Sequence, residues 1–136
     1  MYGCSMPSDT DASVREWFER GNKTKELQVD ALHPDVEWHL RADLPDSRTL
    51  RGYEDARQLI ADWTAAFDNL HLEPTVITEA GGKTVVGVHL HGQIRGTEQE
   101  LDMDEVWVLG WRDERIVEIR EFNTTEEAVR SLGQPA

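Results

Sequence analysis

The chain has 136 residues, 38% of them hydrophobic, with five tryptophans and a formal net charge of −13. That is enough for one domain with a core of its own, and too apolar for a disordered chain. With 27 acids against 14 bases it lacks the basic footprint that nucleic acid needs, and an anionic membrane is disfavoured too.

The single cysteine, Cys4, excludes an intrachain disulfide framework. No apolar run approaches the ~18 residues of a membrane span, and the first residues lack the apolar centre of a signal peptide. The expectation is a cytoplasmic protein with no membrane partner. Residues 1–8 read as an unstructured leader, 9–133 as one domain and 134–136 as a tail.

The first helix is predicted over 10–20, where Val14, Trp17 and Phe18 share a face at i, i+3 and i+4. Gly21 suits the position after a helix end, because positive φ costs it no Cβ clash. A second short helix is predicted over 23–32, presenting Leu27, Ala31 and Leu32. Pro34 disfavours helix at His33 and ends it. Residues 36–41 read as a strand with Trp38 and Leu40 on one face and Glu37 and His39 on the other. Residues 42–51 are polar, contain Pro45 and read as a loop.

The longest helix is predicted over 53–69, with the stripe Ala56, Leu59, Ile60, Trp63, Ala66, Phe67 and Leu70. A strand over 72–79, bulged near Pro74, leads to a Gly81-Gly82 hairpin turn. Three long alternating strands follow, over 84–95, 98–111 and 115–123, broken at Gly96-Thr97 and at Arg112-Asp113-Glu114. Thr124 and Glu127 form a capping box for a last short helix with Ala128, Val129 and Leu132, ending at Gly133. This order predicts an α+β fold, a cone-shaped curved antiparallel sheet with helices packed on its concave face.

Polar side chains interrupt the apolar faces of the long strands. His89 and His91 share one face, Met103, Glu105 and Trp107 a second, and Val117, Ile119 and Glu121 a third. If those faces converge, they enclose an apolar chamber with a few ionisable groups, which describes a small-molecule site. Imidazoles beside Glu121 then suit proton transfer at neutral pH. The alternative places both histidines toward solvent or a dimer interface. Glu105 either pairs with a histidine inside the cup or is solvated, since a lone buried carboxylate is costly. Asp102 and Asp104 alternate outward. Trp17, Trp38, Trp63 and Trp107 line a pocket, build the core, or do both. A metal reading needs His89, His91 and one of Glu105 or Glu121 as three ligands; that short pattern is common, and no metal is expected. No phosphate-binding glycine loop occurs, so no organic cofactor is expected.

Phe18-Glu19-Arg20-Gly21-Asn22, then Leu32-His33-Pro34-Asp35-Val36-Glu37-Trp38-His39, resembles the opening of SnoaL-like polyketide cyclase domains. Leu50-Arg51-Gly52-Tyr53-Glu54 fits the same pattern. So do Val106-Trp107-Val108-Leu109 and Arg115-Ile116-Val117-Glu118-Ile119-Arg120-Glu121-Phe122. The resemblance covers about residues 10–132 and implies the nuclear transport factor 2-like, cystatin-like fold and a homodimer formed through the outer face of the long strands. It sets Leu40 where ketosteroid isomerases carry a base Asp, and Val14 where they carry an oxyanion Tyr. It sets His89 and His91 at the Arg and the first Asp of the epoxide hydrolases' Asp-Arg-Asp set and Glu121 at its last Asp, with Trp38 and Leu40 at their water-holding Tyr and Asn. In the polyketide cyclases a late-strand carboxylate is the acid/base for an aldol closure, and Glu121 is the nearest match.

The resulting expectation is acid/base chemistry, an aldol cyclisation, isomerisation or dehydration, on a small hydrophobic carbonyl compound. His89, His91 and Glu121 are the expected catalytic groups. Trp38, Leu40, Trp63, Phe67, Leu101, Met103, Glu105, Trp107 and Asn123 are the expected pocket. The other reading is a non-catalytic ligand-binding or accessory protein, because the ketosteroid isomerase groups are missing at Val14 and Leu40.

Overall fold

The structure is a computed structural model and describes residues 9–41 and 48–132. The expected leader, the tail, the stop at Gly133 and most of the expected 42–51 loop lie outside the described residues.

Helix α1, Thr10–Thr24, starts where the Asp9 carboxylate accepts the Ala12 amide at 3.1 Å. Val14, Trp17 and Phe18 are its buried face, as their spacing predicts. The helix passes Gly21 and ends at Lys25, which takes a left-handed φ of 61° and donates its amide to Gly21 O. That conformation costs a non-glycine residue about 1–2 kcal/mol. Long-range bonds hold it: Lys25 Nζ donates to Leu70 O, and the Asn22 amide bonds both the N–H and the C=O of Leu72. The expected second helix shrinks to one 3₁₀ turn, Val29–Ala31. Leu32 instead opens strand β1, Leu32–His39, pairing with Ile116 while its carbonyl accepts the Tyr53 hydroxyl. Pro34 is tolerated because it falls where the register of β1 shifts, between Leu32 and Glu37.

Strand β2, Thr49–Arg51, pairs with β1, so the end of the expected loop is strand. Helix α2, Gly52–Ala66, buries Ala56 and Leu59. Its apolar period continues to Leu70, yet the helix stops at Ala66. Strand β3, Phe67–Ala80, takes over because Phe67 and Asp68 pair with Ile94 and Gln93, and Arg95 donates its amide to Ala66 O. Pairing across the sheet thus outweighs helical periodicity at 67–70. The register shifts between Pro74 and Val76, at the expected bulge. Gly81 and Gly82 turn at φ of 60° and 78° into strand β4, Lys83–Ile94. Strands β5, Glu100–Arg112, and β6, Arg115–Phe122, follow, then helix α3, Thr125–Leu132, whose Glu127 amide bonds the Thr124 hydroxyl.

The six strands lie in the order β2-β1-β6-β5-β4-β3. All neighbours are antiparallel except β1 and β6, which run parallel, so the sheet is mixed where an antiparallel one was expected. A register shift at Gly110 and Trp111 brings Ile116 into the core in place of Val117. One sheet face packs on α1 and α2 through Val14, Phe18, Leu59, Val88, Leu109 and Ile119. The other meets α3 through Val106, Val108 and Ala128, so α3 lies on the face opposite the other two helices.

Candidate functional site

Three residues on adjacent strands set the site. Trp107 on β5 is directly opposite Glu121 on β6, and Trp38 on β1 is beside Ile119 on the other flank of β6. Period-two alternation turns all three toward the helices. Trp38 Nε1 donates to Glu121 Oε2 at 2.7 Å, and Trp107 Nε1 donates to Glu105 Oε1 at 3.0 Å. Arg41 Nη1 donates to Glu105 Oε2, also at 3.0 Å. Both carboxylates are buried, Glu121 at 5% and Glu105 at 6% exposure.

The two glutamates therefore differ in company. Glu105 has a guanidinium on one oxygen and an indole N–H on the other. Glu121 has an indole N–H alone among the bonds seen here, and a neighbouring carboxylate. Burial first, and the charge of Glu105 second, push the Glu121 carboxyl up to about 8, against the smaller opposing pull of the Trp38 N–H and Arg41. Glu121 is thus mostly protonated at neutral pH.

A cavity of about 70 Å³ lies above these tryptophans. Trp17 and Phe18 of α1, Ile60 and Trp63 of α2, and Trp38 and Trp107 of the sheet form its walls. Its rim carries Asn22, Lys25 and Glu26. Glu121 and Glu105 do not line it; each touches it through the indole that bonds it. Leu40, Leu101 and Met103 pack, half-buried, against the same core. Phe67 starts β3 and Asn123 is exposed after β6, and neither lines the cavity.

His89 and His91 do not reach the cup. His89 is paired with Asp104 and His91 with Asp102, on the outer face, while Val88 and Leu90 point inward. His89 Nδ1 lies 2.7 Å from Asp104 Oδ1 and its Nε2 lies 3.2 Å from Asp102 Oδ1. His71 joins this outer row, its ring 5.0 Å from His91. The expected meeting of the histidines with Glu121 and Glu105 is therefore corrected. Glu105 does face the cup, but its cation is Arg41. Sequence reasoning gave Arg41 no role, although a carboxylate in an apolar face demands such a partner. Among the described residues, no three His, Cys, Asp or Glu side chains converge as a metal centre.

A family model described as the SnoaL-like domain matches residues 12–119. The chain belongs to the SnoaL-like domain family. Solved structures repeat this SnoaL-like fold over nearly the full chain. A protein described as a SnoaL-like polyketide cyclase, from Jannaschia sp. CCS1, is 17% identical with a TM-score of 0.70, covering 100% of this chain and 99% of its own. A protein with a ketosteroid isomerase-like fold from Catenulispora acidiphila DSM 44928, in complex with trimethylamine, is 18% identical with a TM-score of 0.66, covering 96% and 95%. TerC, co-crystallised with polyporic acid, is 20% identical with a TM-score of 0.63, covering 90% and 94%. A search of curated proteins gave no match. Among the described residues, no helix is long and apolar enough to cross a membrane.

Proposed function

We propose that this SnoaL-like domain is an acid/base catalyst acting on a small hydrophobic carbonyl compound, with Glu121 as the proton-transfer group. The observation that carries this reading is a carboxyl at 5% exposure, hydrogen-bonded to Trp38 at 2.7 Å and held up to about 8. A carboxyl tuned toward neutral pH exchanges protons with a carbon acid far better than an ordinary one. The ionised minority of Glu121 takes a proton from the carbon next to a carbonyl and leaves an enolate. In an aldol closure that enolate carbon bonds to a second carbonyl carbon, and the new alkoxide takes the proton back from Glu121. Arg41 pairs with Glu105 beside it, and the charge of Glu105 adds to burial in keeping the proton on Glu121.

Trp38, Trp63 and Trp107 shape the pocket in this reading, with Leu40, Leu101 and Met103 behind them. Polyketide cyclase likeness and the ligands of the structural relatives support a small organic ligand. The homodimer through the outer strand face, the cytoplasmic location and the single domain over 9–133 belong to the same proposal.

A second reading, a non-catalytic binding protein, is favoured by one observation: neither carboxylate lines the cavity. Hydrogen–deuterium exchange separates the two. The chain is incubated in D₂O with a small enolisable ketone such as 2-butanone, and loss of the α-protons is followed by NMR. Exchange above background that E121Q abolishes supports catalysis. Exchange equal in wild type and E121Q, or none in either, favours the binding protein.

A further inference from the structure

Trp17, Phe18, Trp38, Trp63 and Trp107 surround one space of about 70 Å³. Contacting rings in this group have centroids from 5.2 Å to 6.5 Å apart. Their planes meet at angles from 44° to 89°, so the rings that line the space are not coplanar and do not form a flat slot. Aromatic faces carry negative quadrupole density, and a compact cation among several of them is attracted by each.

Two further features favour positive charge here. The indole N–H groups of Trp38 and Trp107 donate to Glu121 and Glu105, and a carboxyl acceptor on an indole N–H leaves the ring richer in electron density. The whole chain carries a formal charge of −13, which raises the local concentration of small cations. At the rim, Lys25 opposes a cation but donates its ammonium to Leu70 O at 2.6 Å, and Glu26 stands beside it. Size narrows the choice. At roughly 10 to 15 Å³ of this space per water-sized group, the cavity holds on the order of five to seven of them. A fused-ring ligand exceeds that, whereas a methylated ammonium group fits.

We propose that this cavity is an aromatic cage for a small alkylammonium group, the size of trimethylammonium or tetramethylammonium. The inference concerns the same cavity as the catalytic reading but does not rest on Glu121 acting as a catalyst. The group is either a free amine or the head of a larger molecule whose remainder leaves through the rim between α1 and β3.

The test titrates the full chain with tetramethylammonium chloride and, separately, with tert-butanol, a neutral molecule of similar size, at matched ionic strength. Tryptophan fluorescence and the indole N–H signals of Trp38 and Trp107 are the readouts. Saturable binding of the cation, at least tenfold tighter than the alcohol, is expected. Trp63→Leu keeps the apolar wall and removes one ring, and is expected to weaken the cation at least fivefold with little change for the alcohol. Equal affinities, tighter alcohol binding, or no saturable cation binding overturns the cage. Should W63L fail to fold, the comparison of cation with alcohol on the wild type decides alone. Cation binding without ketone exchange sinks only the carbonyl reading; ketone exchange without cation binding sinks only the cage.

Discussion

Trp38 Nε1 lies 2.7 Å from Glu121 Oε2, and that bond joins the edge of the aromatic cavity to the most perturbed carboxyl among the described residues. The bond favours the ionised form, and burial together with Glu105 outweighs it. Between the ordinary value near 4.5 and about 8, the folded chain therefore holds a proton at Glu121 that the unfolded chain has released. This contribution to stability is fully present below about 4.5 and is lost as pH rises through about 8, at up to ~1.4 kcal/mol per pH unit. Glu121→Gln removes it. Urea denaturation across that window is expected to show E121Q gaining on the wild type as pH rises. Parallel curves for the two proteins would mean that Glu121 ionises alike in both states.

Arg41 and Glu105 make a buried pair, with side chains 12% and 7% exposed and a 3.0 Å contact. Removing one partner of such a pair leaves a charge without compensation and costs about 3–5 kcal/mol. Arg41→Ala is expected to destabilise by that amount, and the Arg41→Ala, Glu105→Gln double variant by less than the sum of the two single changes. A double-mutant cycle in denaturant measures the coupling; strict additivity would show that the pair does not act as one.

On the outer face, the Asp104 hydrogen bond raises the His89 pKa above the ordinary 6.5, and Asp102 adds to it. His71 is lowered, first by burial and then by the charge of His91. NMR titration is expected to find His89 titrating at higher pH than His71. The His89–Asp104 contribution to stability is present below about 6.5 and fades as pH rises through the raised His89 value. Since His89 faces away from the cup, His89→Ala is expected to leave any ketone exchange unchanged. A variant that loses exchange while staying folded would return the histidines to the mechanism.

This placement shows what the sequence reveals and what it hides. Alternation shows that His89 and His91 share a face, but not which one. That depends on the residue count through the Gly96-Thr97 turn, which pairs odd residues of β4 with even residues of β5. The matching signal was present in the charges, because His89 and His91 face Asp104 and Asp102, residues the alternation already turns outward. The same parity sets Glu105 and Trp107 opposite the inward Val88 and Val86. The α2 stripe was legible through Trp63, and failed at Phe67 because strand pairing with Ile94 is a long-range fact. Arg41 escaped for a like reason: its partner Glu105 is 64 residues away.

Gly92 sits where β4 passes the start of β3. A Cβ there would stand 3.1 Å from Leu70 Cα and 3.2 Å from Asp68 O, both backbone atoms. Neither can rotate aside, so β3 itself must move. Gly92→Ala is expected to cost roughly 1–3 kcal/mol, as overpacking does. Leu70 lines the cavity, so the same change is expected to shift the Trp63 and Trp107 indole signals. An unchanged melting temperature would show that this crossing has slack.

Asn22 holds the opposite rim. Its side-chain amide donates to Leu72 O at 2.8 Å and accepts from Leu72 N at 2.9 Å, in the manner of a missing neighbour strand. Leu72 lines the cavity, so this clamp joins α1 to the cavity wall. Asn22→Ala leaves a half-buried N–H and C=O without these partners, at about 1–3 kcal/mol for each that water does not reach. Asn22→Asp keeps an acceptor for the Leu72 amide but sets an oxygen against its carbonyl, so it rescues only half the clamp. Native-state hydrogen exchange reads this locally. The Leu72 amide is expected to lose most protection in N22A and less in N22D, while Val108, within the β5 ladder, keeps its own. Equal loss at both amides would mean global destabilisation, and no loss at Leu72 would mean that β3 is held there by its pairing with Leu90 alone.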